Sequence, residues 1–116
     1  MNNRNRPFNF SEESSFEDLG GGIKRKILAY GDNILMAEVH FEKGAEGKMH
    51  SHPHTQVTYV LDGVFEFTIG ENKKTVKKGD ALYKIPNINH GCVCIEKGIL
   101  LDIFSPCRED FISDKE

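Results

Sequence analysis

Four side chains that can bind a metal ion lie at spacings that bring them together in a strand-rich chain: His50, His52, Gln56 and His90. On an extended strand, residues two apart point the same way with their Cα atoms about 6.6 Å apart. The rings of His50 and His52 can therefore reach one cation at the roughly 2.0–2.1 Å that a metal requires. Pro53 ends that strand, and the turn that follows returns Gln56 toward the two rings. His90 completes the set from a distant strand.

The other two histidines fit this set less well. Taking His52 and His54 as the pair leaves one residue before Gln56, which is too few for the turn. We interpret His54 as a loop residue near the mouth of the site, with contact to substrate as the alternative. His40 lies on the more polar face of its strand and is interpreted as structural. A single histidine is usually solvated or hydrogen-bonded, so the two further ligand-type residues favour a metal site.

A carboxylate within an apolar stretch, residues 98–105, is a second candidate for chemistry. Alternation places Leu100, Asp102 and Phe104 on one face of this strand. A buried carboxylate costs free energy unless it is paired or used. Either backbone amides or Arg108 satisfy Asp102, or Asp102 is a general acid or base that faces a cavity. Arg108 follows the strand and has the planar fork that binds a substrate carboxylate through two hydrogen bonds.

Short strands separated by turn signals must position these residues. The second strand has an apolar face made of its odd positions, Leu35, Ala37, Val39 and Phe41. Turns are predicted at Asp62-Gly63, Gly70–Asn72, Gly79-Asp80 and Lys97-Gly98, and a loop over residues 43–47. Strands are predicted over residues 23–30, 34–42, 56–61, 64–69, 73–77, 81–85, 91–96 and 99–104. Together with the strand that carries His50 and His52, these make about nine short strands, and with no helical period they predict an all-β antiparallel sandwich or barrel.

Composition limits the classes of protein that fit. The 116 residues suit one domain, and 38% hydrophobic with 28% charged residues is ordinary for a globular protein. A net charge of −3 argues against nucleic acid or an anionic membrane as partner. The three cysteines have no repeated spacing, which argues against disulfides and for a reducing compartment. Cys92 and Cys94 share one strand face, and we interpret them as two small buried hydrophobes rather than as a metal-binding pair. With no signal-peptide pattern and no long apolar stretch, we expect a cytoplasmic protein.

We divide the chain into an N-terminal arm (residues 1–22), a β-barrel (residues 23–112) and a tail (residues 113–116). The arm is polar with scattered phenylalanines and ends in Gly20-Gly21-Gly22. This composition predicts a segment that packs on a neighbouring surface, including that of a second subunit, rather than a helix. A short turn of helix is expected within residues 108–116.

The spacing of the ligand-type residues resembles the first motif of the cupin superfamily. That motif is Gly, five residues, His-x-His, three or four residues, Glu, six residues, Gly. Every interval is matched here, by Gly44, His50, His52, Gln56 and Gly63. The resemblance implies a cupin fold, a single double-stranded β-helix or jelly-roll barrel, with one divalent metal ion.

The second cupin motif is matched in part. It runs Gly, five residues, Pro-x-Gly, two residues, His, three residues, Asn, and Gly79 and His90 keep its outer spacing. Pro86 falls one place late, Asn87 stands where Gly is expected, and Cys94 replaces the Asn. These departures leave the histidine assignment in place and change the turn that precedes it.

Three stretches, HSHPHTQVTYVLDG, GD…IP…HG and LLDIFSPCRED, are similar to the small cupins of pectin degradation, over roughly residues 34–112. Those enzymes convert 4,5-unsaturated monouronates, the products of pectin and alginate lyases, into linear keto-uronates. The resemblance implies that His50, His52, Gln56 and His90 hold the metal, and that Asp102, Phe104 and Arg108 are catalytic. It implies a small acidic sugar as substrate. Small cupins commonly form homodimers, and the arm offers an exchanged strand.

Gln56 in place of the usual glutamate bears on the chemistry. Three imidazoles and an amide are all neutral, so the metal keeps its full charge and is a stronger Lewis acid. This favours non-redox chemistry, and the ligands suit Zn, Ni, Mn or Fe. The implied mechanism has Asp102 moving protons while Phe104 stacks on the sugar and Arg108 or the metal binds its carboxylate. Two alternatives stay open: another metal-dependent cupin enzyme (a dioxygenase or sugar isomerase), or a non-catalytic cupin that binds a small ligand.

Overall fold

The computed structural model describes residues 3–112, which form an all-β antiparallel barrel, as predicted. Its strands are β1 (Glu17–Gly20), β2 (Ile23–Gly31), β3 (Ile34–Phe41), β4 (Glu46–His50), β5 (Thr55–Ile69), β6 (Asn72–Lys77), β7 (Ala81–Lys84) and β8 (His90–Ser105). They pair in the order β1-β2-β3-β8-β5-β6, with β4 joined to β8 and β7 joined to β5. Within the described residues, no helix is long and apolar enough to cross a lipid bilayer.

Two short 3-10 turns, Ser11–Glu13 and Glu109–Phe111, are the helical segments of the described chain. The second lies where a short turn of helix was expected, and the predicted tail over residues 113–116 lies outside the described residues. The loop predicted over residues 43–47 is shorter than expected, because β4 begins at Glu46.

β5 and β8 are single long strands where the sequence predicted pairs of shorter ones. They pair with each other along their length, so the predicted turns at Asp62-Gly63 and Lys97-Gly98 are wrong as chain reversals. The pairing register shifts at three places between Val60 and Phe65. Such shifts mark bulges, which bend paired strands without separating them. The turn-forming residues here therefore bend the strands and do not end them.

Two glycines, one on β5 and one on β8, allow the backbones of these strands to approach closely at the bulges. Gly63 has a φ of +85°, and a Cβ placed on it would lie 2.5 Å from the Cα of Gly98 and from the carbonyl oxygen of Lys97. A Cβ on Gly98 would lie 2.5 Å from the carbonyl oxygen of Asp62. These distances are far below van der Waals contact. The two backbones can approach this closely only because neither residue has a side chain.

Alternate positions along the strands fill the interior of the barrel. The odd positions of β3, predicted as its apolar face, are all buried: Leu35, Ala37, Val39 and Phe41. On β5 the buried residues are Gln56, Thr58 and Val60 before the bend, and Phe65 and Phe67 after it. Along β5 the buried residues therefore change from even-numbered to odd-numbered positions, because the bulges interrupt the regular alternation of the strand.

The N-terminal segment lies against the barrel of its own chain. β1 pairs antiparallel with β2. Arg4 forms ion pairs with Asp32 and Glu109, with N···O distances of 3.1 and 2.6 Å. The Nζ of Lys26 donates a hydrogen bond of 2.8 Å to the hydroxyl of Ser11. The segment therefore contains a regular strand, and its separation from the barrel at residue 22 stays a prediction.

All three cysteines are buried and free of disulfides, which confirms the predicted burial of Cys92 and Cys94. Burial raises the pKa of Cys92 to about 12 and raises the pKa of Cys94 as well. A thiol with a raised pKa stays protonated near neutral pH, so these residues serve as small apolar side chains.

Replacing Gly63 by alanine is expected to lower the free energy of unfolding by about 3 kcal/mol or more, through positive φ and overpacking together. The matched control is Gly44→Ala, because Gly44 has a φ of +84° and a Cβ placed on it would meet nothing within 4 Å. That variant bears only the conformational cost, about 1 kcal/mol. Urea unfolding followed by circular dichroism measures both, and equal losses would contradict the steric argument.

Candidate functional site

Three histidine rings meet at one end of the barrel. β4 ends at His50 and β8 begins at His90, and the two residues are opposite each other in the β4–β8 pair. His52 lies just beyond the end of β4, so the prediction that His50 and His52 share one strand is wrong. Their rings still converge, because one nitrogen from each of the three rings lies within 4.8 Å of the others.

Main-chain carbonyls fix the orientation of all three rings. The Nδ1 atoms contact carbonyl oxygens two residues away, at 2.7 Å for His50, 3.1 Å for His52 and 3.0 Å for His90. A carbonyl oxygen only accepts, so each Nδ1 carries the proton and donates. In a neutral ring the Nε2 is then left with a free lone pair. Hydrogen bonding of the second ring nitrogen is what orients histidines that bind metals.

Burial keeps two of these rings neutral. It lowers the pKa of His90 to about 4, with the nearby charge of Lys84 acting in the same direction. Burial also lowers the pKa of His52, partly opposed by its contact with Gln56. Because a metal ligand must offer a lone pair, rings that are neutral at pH 7 are ready to bind.

Gln56, near the start of β5, completes a four-ligand set. Its Oε1 lies 2.9 Å from the Nε2 of His52, and its Nε2 donates to the hydroxyl of Thr58 at 3.2 Å. Since the Nδ1 of His52 is a donor, its Nε2 and the amide oxygen both present lone pairs to each other. Two facing acceptors are stabilised by a cation bound by both. The donors present therefore fit a divalent metal ion.

A cavity of about 260 Å³ connects this cluster with the inner face of β8. Asp102 and Phe104 line it on the face that alternation predicted, together with His50, Gln56 and His90. A second cavity, of about 310 Å³, lies beneath the N-terminal segment and has no histidine in its lining. The first cavity is therefore the candidate site.

Asp102 is held by a side-chain hydroxyl. Its Oδ1 accepts a hydrogen bond of 2.6 Å from the hydroxyl of Thr58. Backbone amides and Arg108 are the groups predicted to satisfy Asp102 in a structural role. Both predictions are wrong, because the partner is Thr58. The carboxylate is half-buried and lines the cavity, so it is placed to exchange protons with a bound molecule.

Arg108 also lines the cavity, and it is paired with Asp110 through two hydrogen bonds of 3.0 and 2.8 Å. Its guanidinium lies 4.9 Å from the ring centre of Phe104 and 4.1 Å from that of Phe111. The hydrogen bonds from Arg108 lower the pKa of Asp110. Two aromatic rings and one carboxylate thus hold this guanidinium in place at the cavity wall.

His40 and His54 lie outside the three-ring cluster. The Nε2 of His40 pairs with Glu38, and its ring packs on Phe16 at 4.6 Å, as expected of a structural histidine. The ring of His54 lies 5.5 Å from that of His52, and its Nδ1 is buried without a hydrogen-bond partner among the described residues.

Sequence reasoning missed two polar residues of the cavity region, Thr58 and Lys84. Lys84 is only 2% exposed, lines the cavity, and donates a hydrogen bond of 2.9 Å to Thr58. A signal for both was present in the alternation. Thr58 is two residues from Gln56, and Lys84 is two residues from the apolar Leu82, so each shares an inward face.

Comparison with known proteins agrees with this geometry. A family model described as a cupin domain matches residues 37–104. The pectin degradation protein KdgF of Dickeya dadantii (strain 3937) is 45% identical over 109 residues, which cover 92% of this chain and 99% of that protein. This chain belongs to the cupin family, among the relatives of KdgF. The predicted fold and family are thereby confirmed.

Solved cupin structures superimpose closely on this one. An RmlC-like cupin from Shewanella frigidimarina has a TM-score of 0.91 at 41% identity, covering 95% of this chain and 99% of that one. KdgF from Halomonas sp. has a TM-score of 0.87 at 34% identity, covering 92% and 99%. This cupin therefore shares its fold with these relatives over nearly its whole length.

Replacing His90 by alanine is expected to reduce metal uptake from about one ion per chain to near zero, because a set of four ligands loses one that is buried. The control is His40→Ala, which removes a histidine outside the cluster and should leave the metal content unchanged. Metal analysis after dialysis against Zn²⁺ measures this. Chelation should lower the melting temperature of the wild type but not of His90→Ala. Full metal content in His90→Ala would contradict the assignment.

Proposed function

We propose that this cupin is a metal-dependent enzyme that converts 4,5-unsaturated monouronates, from pectin and alginate lyases, into linear keto-uronates. The observation that carries the proposal is the 45% identity to a pectin degradation protein over nearly the whole chain. The geometry supports it, since a carboxylate and a guanidinium line the same cavity as the metal-binding cluster.

In this proposal His50, His52, Gln56 and His90 hold one divalent transition metal ion. Their rings and amide are neutral, so a bound ion retains its full charge and supplies Lewis-acid polarisation of substrate oxygens. The identity of the ion, Zn, Ni, Mn or Fe, is the part that these ligands leave open.

Arg108 and Phe104 bind the substrate. A uronate carries a carboxylate, which the Arg108 guanidinium can bind in place of Asp110 or beside it. The Phe104 ring is held edge-on against Phe111, with ring centres 5.4 Å apart, and offers an apolar surface to the sugar ring. If the substrate carboxylate replaces that of Asp110, the charge of the Arg108 guanidinium remains balanced.

Asp102 moves the protons. Water adds across the C4=C5 bond of the substrate, with its hydroxyl going to C5 and a proton going to C4. The bond between C5 and the ring oxygen then breaks: the C5 hydroxyl becomes the ketone, and its proton goes to the ring oxygen. C1 now carries two hydroxyls and loses one water molecule to become the aldehyde, so the water that was added is returned. As a carboxylate facing the cavity, Asp102 accepts the proton of the water and returns a proton to the substrate.

Replacing Asp102 by asparagine is expected to lower kcat by roughly 100-fold to 10,000-fold, because the amide cannot accept the proton. Metal content should stay at the wild-type level, since Asp102 is outside the ligand set. The assay is the loss of ultraviolet absorbance of an unsaturated monouronate. Asp62→Asn, an exposed carboxylate on the bend of β5, is the matched control and should retain full activity.

Two results would contradict the proposal. Full activity in Asp102→Asn removes this carboxylate from the mechanism. A wild type that leaves the unsaturated monouronate unchanged, but consumes oxygen when it holds iron, points to a cupin dioxygenase instead.

A cytoplasmic location and a homodimer belong to the same proposal. Three buried free thiols suit a reducing compartment. For the dimer, the outward face of the sheet is apolar across three paired strands. Val57 is opposite both Tyr83 and Ile103, and Tyr59 is opposite Leu101. Tyr83 is 62% exposed. A second copy of this chain would cover such a self-complementary face.

Replacing Tyr83 by glutamate is expected to convert the dimer to a monomer, because the new charge would be buried against an apolar face. Light scattering after size-exclusion chromatography measures the mass. Phe8→Glu is the control, as Phe8 is 71% exposed but lies on the N-terminal arm. A monomer only with Phe8→Glu would favour strand exchange through the arm.

A further inference from the structure

The hydroxyl of Thr58 lies at the centre of a buried hydrogen-bonded cluster. It contacts the Oδ1 of Asp102 at 2.6 Å, the Nζ of Lys84 at 2.9 Å and the Nε2 of Gln56 at 3.2 Å. A hydroxyl has one proton to donate and two lone pairs that accept. Three partners therefore use its whole capacity.

The chemistry of the partners fixes the direction of each bond. The Asp102 carboxylate can only accept a hydrogen bond, so the Thr58 hydroxyl is the donor to it. Lys84 and Gln56 must then both donate, and both carry N–H groups that do so. Because Gln56 donates through its Nε2, its Oε1 has to point the other way, toward His52. One hydroxyl thus sets the orientation of the carboxylate and of the amide.

Lys84 is an unusual residue for this position. It is 2% exposed, and its Nζ lies 4.8 Å from the ring centre of Phe67. Burial lowers the pKa of Lys84, while the Asp102 carboxylate opposes that change. A buried cation costs free energy unless charges and hydrogen bonds compensate for it. Here the Asp102 carboxylate, the Thr58 hydroxyl and the Phe67 ring compensate for burial of the Lys84 amine.

We infer that Thr58 and Lys84 are positioning residues for this site. Lys84 donates a hydrogen bond to one lone pair of the Thr58 hydroxyl. The hydroxyl can then donate its own hydrogen bond to Asp102. Thr58 in turn holds Asp102 toward the cavity and holds the oxygen of Gln56 toward His52. The expected effect of these residues on turnover rests on the proposed function. Their expected effect on the orientation of Gln56 rests only on the hydrogen-bond directions.

A purely structural role for Lys84 and Thr58 makes a different prediction. In that case valine or methionine of similar volume would fill the same space, and a buried ion would be exchanged for an apolar group without loss. The orientation of Gln56 and the turnover number would then be unaffected.

The test compares Thr58→Val, which removes the hydroxyl, with Thr58→Ser, which keeps it. Lys84→Met removes the buried amine, and Lys74→Met, on the exposed strand β6, is its matched control. The double variant Thr58→Val/Lys84→Met shows whether the two residues act through one hydroxyl. Turnover of the unsaturated monouronate gives kcat and KM, and ¹H–¹⁵N NMR of the full chain follows the side-chain amide signals of Gln56.

We expect Thr58→Val and Lys84→Met each to lower kcat by about 30-fold or more, because a small misplacement of a reacting group is costly, while KM changes by less than about 3-fold. Thr58→Ser and Lys74→Met should remain within about 3-fold of wild type. The double variant should be no slower than Thr58→Val. The Gln56 amide signals should shift in Thr58→Val and Lys84→Met but not in Thr58→Ser.

Unchanged kcat and unchanged Gln56 signals in Thr58→Val would overturn the inference, and so would multiplicative losses in the double variant. If Lys84→Met does not fold, as judged by thermal melting, the valine and serine variants at position 58 decide alone. If the wild type has no activity on the uronate, the proposed function fails, and the Gln56 signals alone decide the positioning role.

Discussion

The continuous pairing of β5 with β8 is the constraint on which the site depends. One strand, β8, carries His90 at its start and Asp102 and Phe104 near its end, and β5 carries Gln56 and Thr58 opposite them. The two strands stay paired through the bulged region because their backbones approach closely at Gly63 and Gly98. The bend places metal-binding side chains and a carboxylate around one cavity, although they are far apart along the chain.

The charges of the cavity are arranged in separate compensated groups. Arg108 is paired with Asp110, and the buried Lys84 reaches the Asp102 carboxylate through the hydroxyl of Thr58. Histidine rings and an amide bind a metal ion in their neutral forms, and main-chain carbonyls accept hydrogen bonds from the Nδ1 atoms of the three rings. Positive charge brought in by a metal ion is therefore left for an anionic substrate to balance, which agrees with a uronate.

Short-range spacing predicted that His50, His52 and Gln56 lie together and which residues of β3 and β8 share a face. His90, from a distant strand, was assigned through the spacing of the second cupin motif. Sequence reasoning predicted reversals at Asp62-Gly63 and Lys97-Gly98, because local residue preference cannot distinguish a turn from a bulge within a long paired strand. It also left Lys84 unassigned. A lysine is usually exposed, so the alternation that places Lys84 on the same face as Leu82 was outweighed by residue type.

The bend between β5 and β8 also bears on how this chain can vary over evolution. Adding or deleting one residue between His90 and Asp102 would turn one of these side chains to the outside of the barrel, unless a change in the bulges absorbed it. Substitutions on the outward face of that segment leave the geometry intact. We therefore expect the length of β8 to vary less than its composition, and insertions to fall in the connections between strands, such as the tight turn from β5 to β6.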